Sequence, residues 1–401
     1  MPDTDRIAVI DFTRGVAVMG ILLANLPAFA LPEAAYFSPL AWGGTAPLDI
    51  VAWFVTFVLV EGKMRGLFSL LFGASLLLVH DRAAGAGENV AAVQLRRMAV
   101  LFVIGCLHLY LVWWGDILAH YALCGTIALA LVHLRARWLV ALAIAFAGWD
   151  LIVAVAGAAA LFASAPGDAV WRGFSDGFGV PPPTHLVAEI AAMRGGFAEG
   201  VAWRWQHAFT PLGFLAAVGP QTLSAMLLGM AAYRSGFVTG AWSRAAYRRT
   251  ALLGLGVTLP LYAATATITL HHGFDQRWVY LGSIVIGDVL RLPATLGYAA
   301  LIVLLFNPAG TWSRRVTAVG RAAFTNYLGA SLIMVLLFNG LAQFGAWPRA
   351  TLYLLAPAAF ALMLLWSAPW LAQHRYGPLE WLWRSAARGR PQRWKDANGS
   401  R

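Results

Sequence analysis

Long apolar runs separated by short polar stretches set the pattern of this chain. Apolar segments of roughly the 20 residues a helix needs to cross a bilayer core fall at 7–31, 94–115, 117–134, 138–163, 212–233, 247–270, 279–306, 325–346 and 351–373. Each predicts a transmembrane helix. Residues 48–80 form a further apolar stretch, too long for one straight span and too short for two, interrupted near its middle by Glu61, Gly62, Lys63, Arg65 and Gly66. Backbone freed at membrane depth needs protein or water partners, so this interruption predicts a broken helix lining a cavity, with an ordinary kink as the alternative. The longest stretch outside the spans, 164–211, carries Pro181-Pro182-Pro183 and predicts a loop over one opening of the bundle.

Composition agrees with the pattern. With 60% hydrophobic and 12% charged residues and a mean hydropathy of +0.68, the chain is excluded from the ordinary soluble class and is expected to be an all-α, polytopic transmembrane helix bundle. The first segment is long and charged at its start, so it reads as a retained span and not as a signal peptide. Cys106 and Cys124 both fall inside apolar segments and give neither a disulfide framework nor zinc-ligand spacing. The net charge of +11 is spread over short loops and the tail, a topological pattern and not a nucleic-acid footprint.

Loop charges predict the orientation. Arg82, Arg96 and Arg97, then Arg135 and Arg137, then Arg234, Arg244, Arg248 and Arg249, then Arg314, Arg315 and Arg321 mark cytoplasmic loops, whereas 27–47 holds no Lys or Arg. Both termini are then cytoplasmic, the crossings are even in number, and 48–80 crosses once, for about ten spans. Residues 1–376 form one membrane domain, with 164–211 external. Residues 377–401 form a basic cytoplasmic tail whose Trp381 and Trp383 read as interfacial anchors, as do Trp203, Trp205 and Phe209.

Against this background the polar residues inside spans stand out. An ionised side chain at the bilayer centre costs about 2.5–3.5 kcal/mol on insertion scales, so such groups face a protein interior or a water-filled cavity. The first span holds Asp11, Arg14 and Asn25. Asp11 and Arg14, three apart on one helical face, either serve a cavity or neutralise one another at the membrane edge. Asp288 and Arg291 repeat that spacing in a later span. His108 lies inside a span with Asp116 at its outer end, the minimum set for general-base chemistry, although a buried histidine also serves as a hydrogen-bonded packing residue. Asn326, Tyr327 and Asn339 read first as bridges between helices. His271, His272 and Asp275 fall at a span end without a fuller ligand set, and no metal is expected.

Several motifs carry a resemblance. Ile10-Asp11-Phe12-Thr13-Arg14-Gly15 with Gly20-Ile21-Leu22 and Asn25 opens the chain. Glu61-Gly62-Lys63 with Leu67-Phe68-Ser69-Leu70-Leu71-Phe72-Gly73 follows, then His108 with Gly115-Asp116-Ile117-Leu118 and Tyr121. Gly320-Arg321, Thr325-Asn326-Tyr327-Leu328 and Gly377-Pro378-Leu379-Glu380-Trp381-Leu382-Trp383-Arg384 complete the set. Together they resemble YeiB-like proteins, a bacterial family of multi-pass membrane proteins, along nearly the whole chain. That family is similar in turn to the transmembrane acyltransferases, some of which O-acetylate envelope glycans while another N-acetylates terminal glucosamine.

The resemblance implies a bacterial inner-membrane protein. It also implies transfer of an acyl group from a cytoplasmic acyl-CoA to an envelope glycan or other small acceptor, with membrane lipids as further expected partners. In the glycan branch an arginine is followed, after ten intervening residues, by a catalytic histidine; Arg14 matches the arginine, but Asn25 occupies the histidine position. An amide cannot act as a general base, and the glucosamine branch has asparagine there too. The implied roles are therefore His108 as base, oriented by Asp116 or Glu61, Asn25 as oxyanion donor, and Arg14, Lys63 and Arg65 on the donor phosphates. Two other readings stand beside it: a transporter or flippase using the same cavity, and a non-catalytic scaffold of acyltransferase-like fold.

Overall fold

The computed structural model describes residues 7–395. Its regular elements are helices throughout, and the β-bridge between His374 and Lys395 is the one extended pairing among the described residues. The chain opens with α1 (Ala8–Ala30), then α2 (Pro47–Leu59) and α3 (Lys63–Gly85), then the hairpin of α4 (Val90–Leu107) and α5 (Leu118–Leu129), then α6 (Ala136–Ala163). Three short helices, α7 (Ala169–Phe178), α8 (Pro183–Gly195) and α9 (Phe197–His207), come next. The second half runs through α10 (Pro211–Arg234), α11 (Arg244–His271), α12 (Gln276–Tyr280), α13 (Gly287–Leu305), α14 (Thr311–Arg321), α15 (Ala323–Val335), α16 (Arg349–Leu352), α17 (Leu355–Gln373) and α18 (Pro378–Arg388).

Among the described residues nine helical stretches are long and apolar enough to cross a bilayer, Pro47–Gly85 counted as one. This makes the chain a polytopic helical bundle. The remaining expected span, 117–134, is different: its helix α5 has 12 residues, about 18 Å of rise against a core of about 30 Å. It is an interior element. Gly105 of α4 lets the α5 backbone at Ala119 approach so closely that a Cβ there would overlap it, and His120, Tyr121, Cys124 and Ala128 are all buried. Burial also separates the inner from the lipid-facing helices: 67% of the apolar window of α1 is buried, against 22% for α6 and for the α16 and α17 unit.

The stretch 48–80 breaks where its sequence is interrupted. Helix α2 ends at Leu59, Gly62 takes a positive φ of 71°, and α3 begins at Lys63. That φ favours glycine, and a Cβ on Gly62 would stand 2.9 Å from Arg291 Nε of α13. The break thus makes room for a guanidinium. Helices α3 and α10 cross at van der Waals contact of their backbones, with Gly73 against the Met226 carbonyl and Gly229 against the Leu70 carbonyl, as small residues allow in membranes.

The stretch 164–211 is a folded cap, not an open loop. Pro183 starts α8 at a first-turn position, where its missing N–H costs nothing, and Gly196 at φ 130° separates α8 from α9. The cap is tied down by polar side chains, of which Glu189 and Arg204 are buried. Glu189 accepts from the Glu33 backbone N–H at 3.0 Å, Arg194 donates to the Phe344 carbonyl at 2.6 Å, and Arg204, 3% exposed, reaches the end of α4. In the tail, Glu380 caps the start of α15 by accepting from the Phe324 and Thr325 N–H groups, and Trp383 donates to the Arg97 carbonyl at 3.0 Å. Trp383 is therefore turned onto the bundle.

Candidate functional site

Helix α4 does not end as an α-helix. Residues 108–112 form a π-turn in which Trp113 N–H bonds to the His108 carbonyl at 2.8 Å. Widened turns of this kind leave carbonyls without helical partners and recur at functional positions. Here Arg204 of the cap takes two of them, donating from Nε to Tyr110 O at 3.1 Å and from Nη2 to Leu111 O at 3.0 Å. Burial holds the Arg204 guanidinium down to about 10. The connection 113–117 then turns the chain into α5, where Asp116 Oδ2 accepts from the Ala119 N–H at 2.9 Å, serving the first turn of the helix.

The other oxygen of Asp116 meets His108 Nδ1 at 2.9 Å. An ionised carboxylate only accepts, so Nδ1 carries the hydrogen and Nε2 presents a lone pair. Both residues are almost fully buried, 3% and 4% exposed. His108 Nε2 and the Tyr327 hydroxyl are buried without a hydrogen-bond partner, and the two rings lie 5.8 Å apart. Such buried polar atoms are rare and call for a reason. The dyad is an oriented imidazole with its basic nitrogen left free.

A second polar group lies deeper in the bundle. A narrow cavity is lined by Arg65 and Ser69 of α3, Asp150 of α6, Gln221 and Thr222 of α10, and Asp288 and Arg291 of α13. Arg65 donates to Gln221 Oε1, which turns Gln221 Nε2 towards Asp150 Oδ2 at 3.2 Å and Asp288 Oδ1 at 2.7 Å. Arg291 pairs with Asp288 at 2.9 Å. Tyr121 Oη and Ser69 Oγ, 2.6 Å apart, carry the hydrogen bonding from this cavity towards α5, and His120 Nε2 meets Thr222 Oγ1 at 2.8 Å.

The seven residues singled out from the sequence fall in separate places. His108 and Asp116 are brought together. Asn25 lies on α1 one turn before Ala28, whose carbonyl accepts from Trp113 Nε1 at 3.1 Å, so it is on the dyad's end of that helix. Arg14 is at the other end, bonded to Asp11 at 3.0 Å and to Ser75. Lys63 is fully buried, donates to the Phe57 carbonyl and stands 3.2 Å from the Tyr262 ring centroid. Glu61 lies in the field of Lys63, Arg291, Arg349 and Arg65, not at His108. Asn326 acts as a bridge, bonded to Val319, Ser367 and Trp366.

Sequence reasoning missed Asp150, Gln221, His120 and Arg204. Asp150 was open to the rule applied to Asp11, a carboxylate within an apolar run; Gln221 and Arg204 carried no such signal. Among the described residues no group of three or more His, Cys, Asp or Glu side chains is arranged to hold a metal ion.

Comparison with known proteins supplies the relationship. A family model described as "Protein of unknown function (DUF418)" matches residues 232–390. The "Uncharacterized protein YeiB" of Escherichia coli (strain K12) is 31% identical, covering 95% of this chain and 96% of that protein. The "Uncharacterized protein YxaH" of Bacillus subtilis (strain 168) is 29% identical over 95% of this chain and 94% of its own length. With that identity carried from end to end, the chain belongs to the YeiB-like family of bacterial membrane proteins.

Proposed function

We propose that this protein is a membrane-embedded acyltransferase that moves an acyl group from a cytoplasmic acyl-CoA-type thioester to an envelope hydroxyl or amine, with His108 as general base. The observation that carries this reading is the buried dyad, in which Asp116 fixes the imidazole tautomer and Nε2 is left without a partner. His108 Nε2 takes the acceptor proton as its oxygen or nitrogen bonds to the thioester carbonyl carbon. The C–S bond then breaks, and the imidazolium returns the proton to the departing thiolate. Asn25, on the same end of α1, donates to the developing oxyanion.

Arg14 is the phosphate-binding candidate: paired with Asp11 and Ser75, its side chain stays a quarter exposed, whereas Lys63 is fully buried on Phe57 and Tyr262 and Arg65 is held by Gln221 in the inner cavity. It lies eleven residues from Asn25, about 16 Å along a helix, a separation that suits a long donor with phosphates at one end and thioester at the other.

The test is incubation of the protein in lipid nanodiscs with radiolabelled acetyl-CoA and envelope extract, comparing wild type with His108→Gln and Arg14→Ala. Transfer should fall about 10²- to 10⁴-fold in His108→Gln, the usual worth of a general base, and donor binding should weaken in Arg14→Ala. Full transfer by His108→Gln would remove the base from the mechanism.

A second reading is transport, favoured by the cavity between α3, α6, α10 and α13, where ionisable residues from three helices meet Gln221 of the fourth at membrane depth. Substrate uptake into proteoliposomes with no covalent product, together with absent acyl transfer by wild type, selects it.

A further inference from the structure

Asp150 and Asp288 lie in different spans, yet their carboxyl oxygens converge on one nitrogen. Gln221 cannot turn its amide the other way. Its Oε1 is held by the Arg65 guanidinium, which only donates, so both N–H groups of Nε2 face the carboxyls, at 3.2 Å to Asp150 and 2.7 Å to Asp288. Sharing that one nitrogen, the two carboxyls are held side by side. Asp288 has the Arg291 guanidinium at 2.9 Å, whereas Asp150 is served by the Gln221 amide. Arg291, 6% exposed, keeps a further buried donor, Nε, without a hydrogen-bond partner.

We propose that Asp150 and Asp288 form a single proton-binding site at membrane depth, with one exchangeable proton shared between the two carboxyl groups. Two carboxylates this close, out of bulk water, repel strongly, and a shared proton relieves the repulsion while supplying the O–H that joins them. Asp150 is half-buried and lines the cavity, which makes it the member that exchanges with water. Asp288, held by Arg291, stays the acceptor. The charged or titratable groups facing the pair are Arg65 of α3, Tyr262 of α11, Tyr280 of α12 and Arg291 of α13, with His120 of α5 behind Thr222. The arginines stay charged and the tyrosines neutral across the ordinary pH range. The carboxyl titration in this cavity therefore belongs to the pair, and the net charge of the cavity changes by one with it. This site stands whether the bundle transfers acyl groups or transports a solute.

Infrared difference spectroscopy on the full chain in nanodiscs, between acidic and alkaline buffer in H2O and in D2O, tests it. Beside the titrating carboxyls of Glu33 and Glu189, the wild type should show the C=O band of one further protonated carboxyl that disappears at alkaline pH. Asp150→Asn and Asp288→Asn should each lose that band while the bands of the other carboxyls remain. Asp150→Glu and Asp288→Glu keep a carboxyl at each position and should retain the band at a displaced frequency, which supplies the comparison if either asparagine variant fails to fold. The same bands at unchanged intensity in both asparagine variants, or undisplaced bands in both glutamate variants, would overturn the proposal.

Discussion

The His108 and Asp116 dyad and the Asp150, Gln221 and Asp288 cluster answer the same problem, polar groups kept out of water, in opposite ways. The dyad is local. Its two residues are eight apart, one in the turn that ends α4 and one in the connection to α5, so the hairpin bend that joins them also orients them. The cluster is dispersed across α3, α6, α10 and α13, and no two of those helices suffice to build it. A local pair survives small movements of the bundle, because its partners move together. A dispersed cluster records the packing of four helices, so it responds to any change in their contact.

The largest difference should appear when charge is removed. Arg291→Met leaves the Asp288 carboxyl without its cation beside Asp150, and breaking one side of a buried ion pair costs about 3–5 kcal/mol. Asp116→Asn keeps an acceptor for the Ala119 N–H and turns its NH2 to His108, whose ring can bond to it through the other tautomer, so its cost should stay near the ~0.6 kcal/mol typical of a membrane hydrogen bond. Thermal unfolding midpoints in nanodiscs should therefore drop strongly for the first variant and barely for the second. Equal drops would mean that the dyad is as dependent on the bundle as the cluster.

Function should reverse that order. In Asp116→Asn the amide can present N–H to Nδ1 and turn the tautomer over, placing the hydrogen on Nε2, and acyl transfer should fall by about 10²- to 10⁴-fold. Arg291→Met, in whatever fraction stays folded, should retain transfer. Equal loss in both would couple the two regions.

The same contrast explains what was legible in the sequence. The spans, the break at Gly62 and the Asp288 and Arg291 pair could be read because each is written in neighbouring residues: an apolar run, a glycine amid charges, an i, i+3 spacing. His108 and Asp116 could be paired for that reason. The fate of Lys63 could not, because its cage is completed by Tyr262, about 200 residues away. Nor could the roles of Arg65 and Gln221, which depend on the α3 and α10 crossing. The capping of the π-turn by Arg204 joins a loop-like stretch to a span-like one, and spacing encodes no such neighbour. Residues 117–134 read as a full span because apolarity does not separate a lipid-facing helix from one buried in protein.

Glycine at the crossing gives a finer test. Replacing glycine by alanine inside a helix ordinarily gains about 0.5–1 kcal/mol. Gly229→Ala instead pushes a Cβ into the Leu70 carbonyl of α3, so the backbones must part, at a cost of about 1–3 kcal/mol. Gln221 is on the same helix and should move away from Arg65. The unfolding midpoint should fall and the carboxyl band of the cavity should broaden or move, while acyl transfer at the dyad should change little. A normal midpoint would show that the crossing has slack.

The smallest effect should come from the cap, which reaches the dyad's turn through Arg204 and Trp205. Glu33 and Glu189 meet where α8 packs on the turn after α1. Burial raises Glu33 to about 7, with Asp176 adding to the rise, and burial raises Glu189 to about 8, opposed by the Glu33 N–H. A carboxyl raised in the folded state binds its proton more tightly there than in the unfolded chain. Folded protein then holds more protons, and stability falls as pH rises. The loss begins at the ordinary glutamate value and is complete above about 8. Amide exchange over α8 and α9 should therefore be slow at mildly acidic pH. After correction for intrinsic exchange it should be about tenfold faster or more above that point, because each tenfold difference in proton affinity between folded and unfolded chain moves the opening equilibrium tenfold. Glu189→Gln, which keeps the acceptor without the charge, should reduce the dependence to the part that Glu33 carries near 7, and if the loosened cap also releases the Arg204 bonds to Tyr110 and Leu111, acyl transfer should decline over the same window. Exchange that is flat with pH in the cap would mean that Glu33 and Glu189 reach water, and that the cap holds the dyad's turn without any response to acidity.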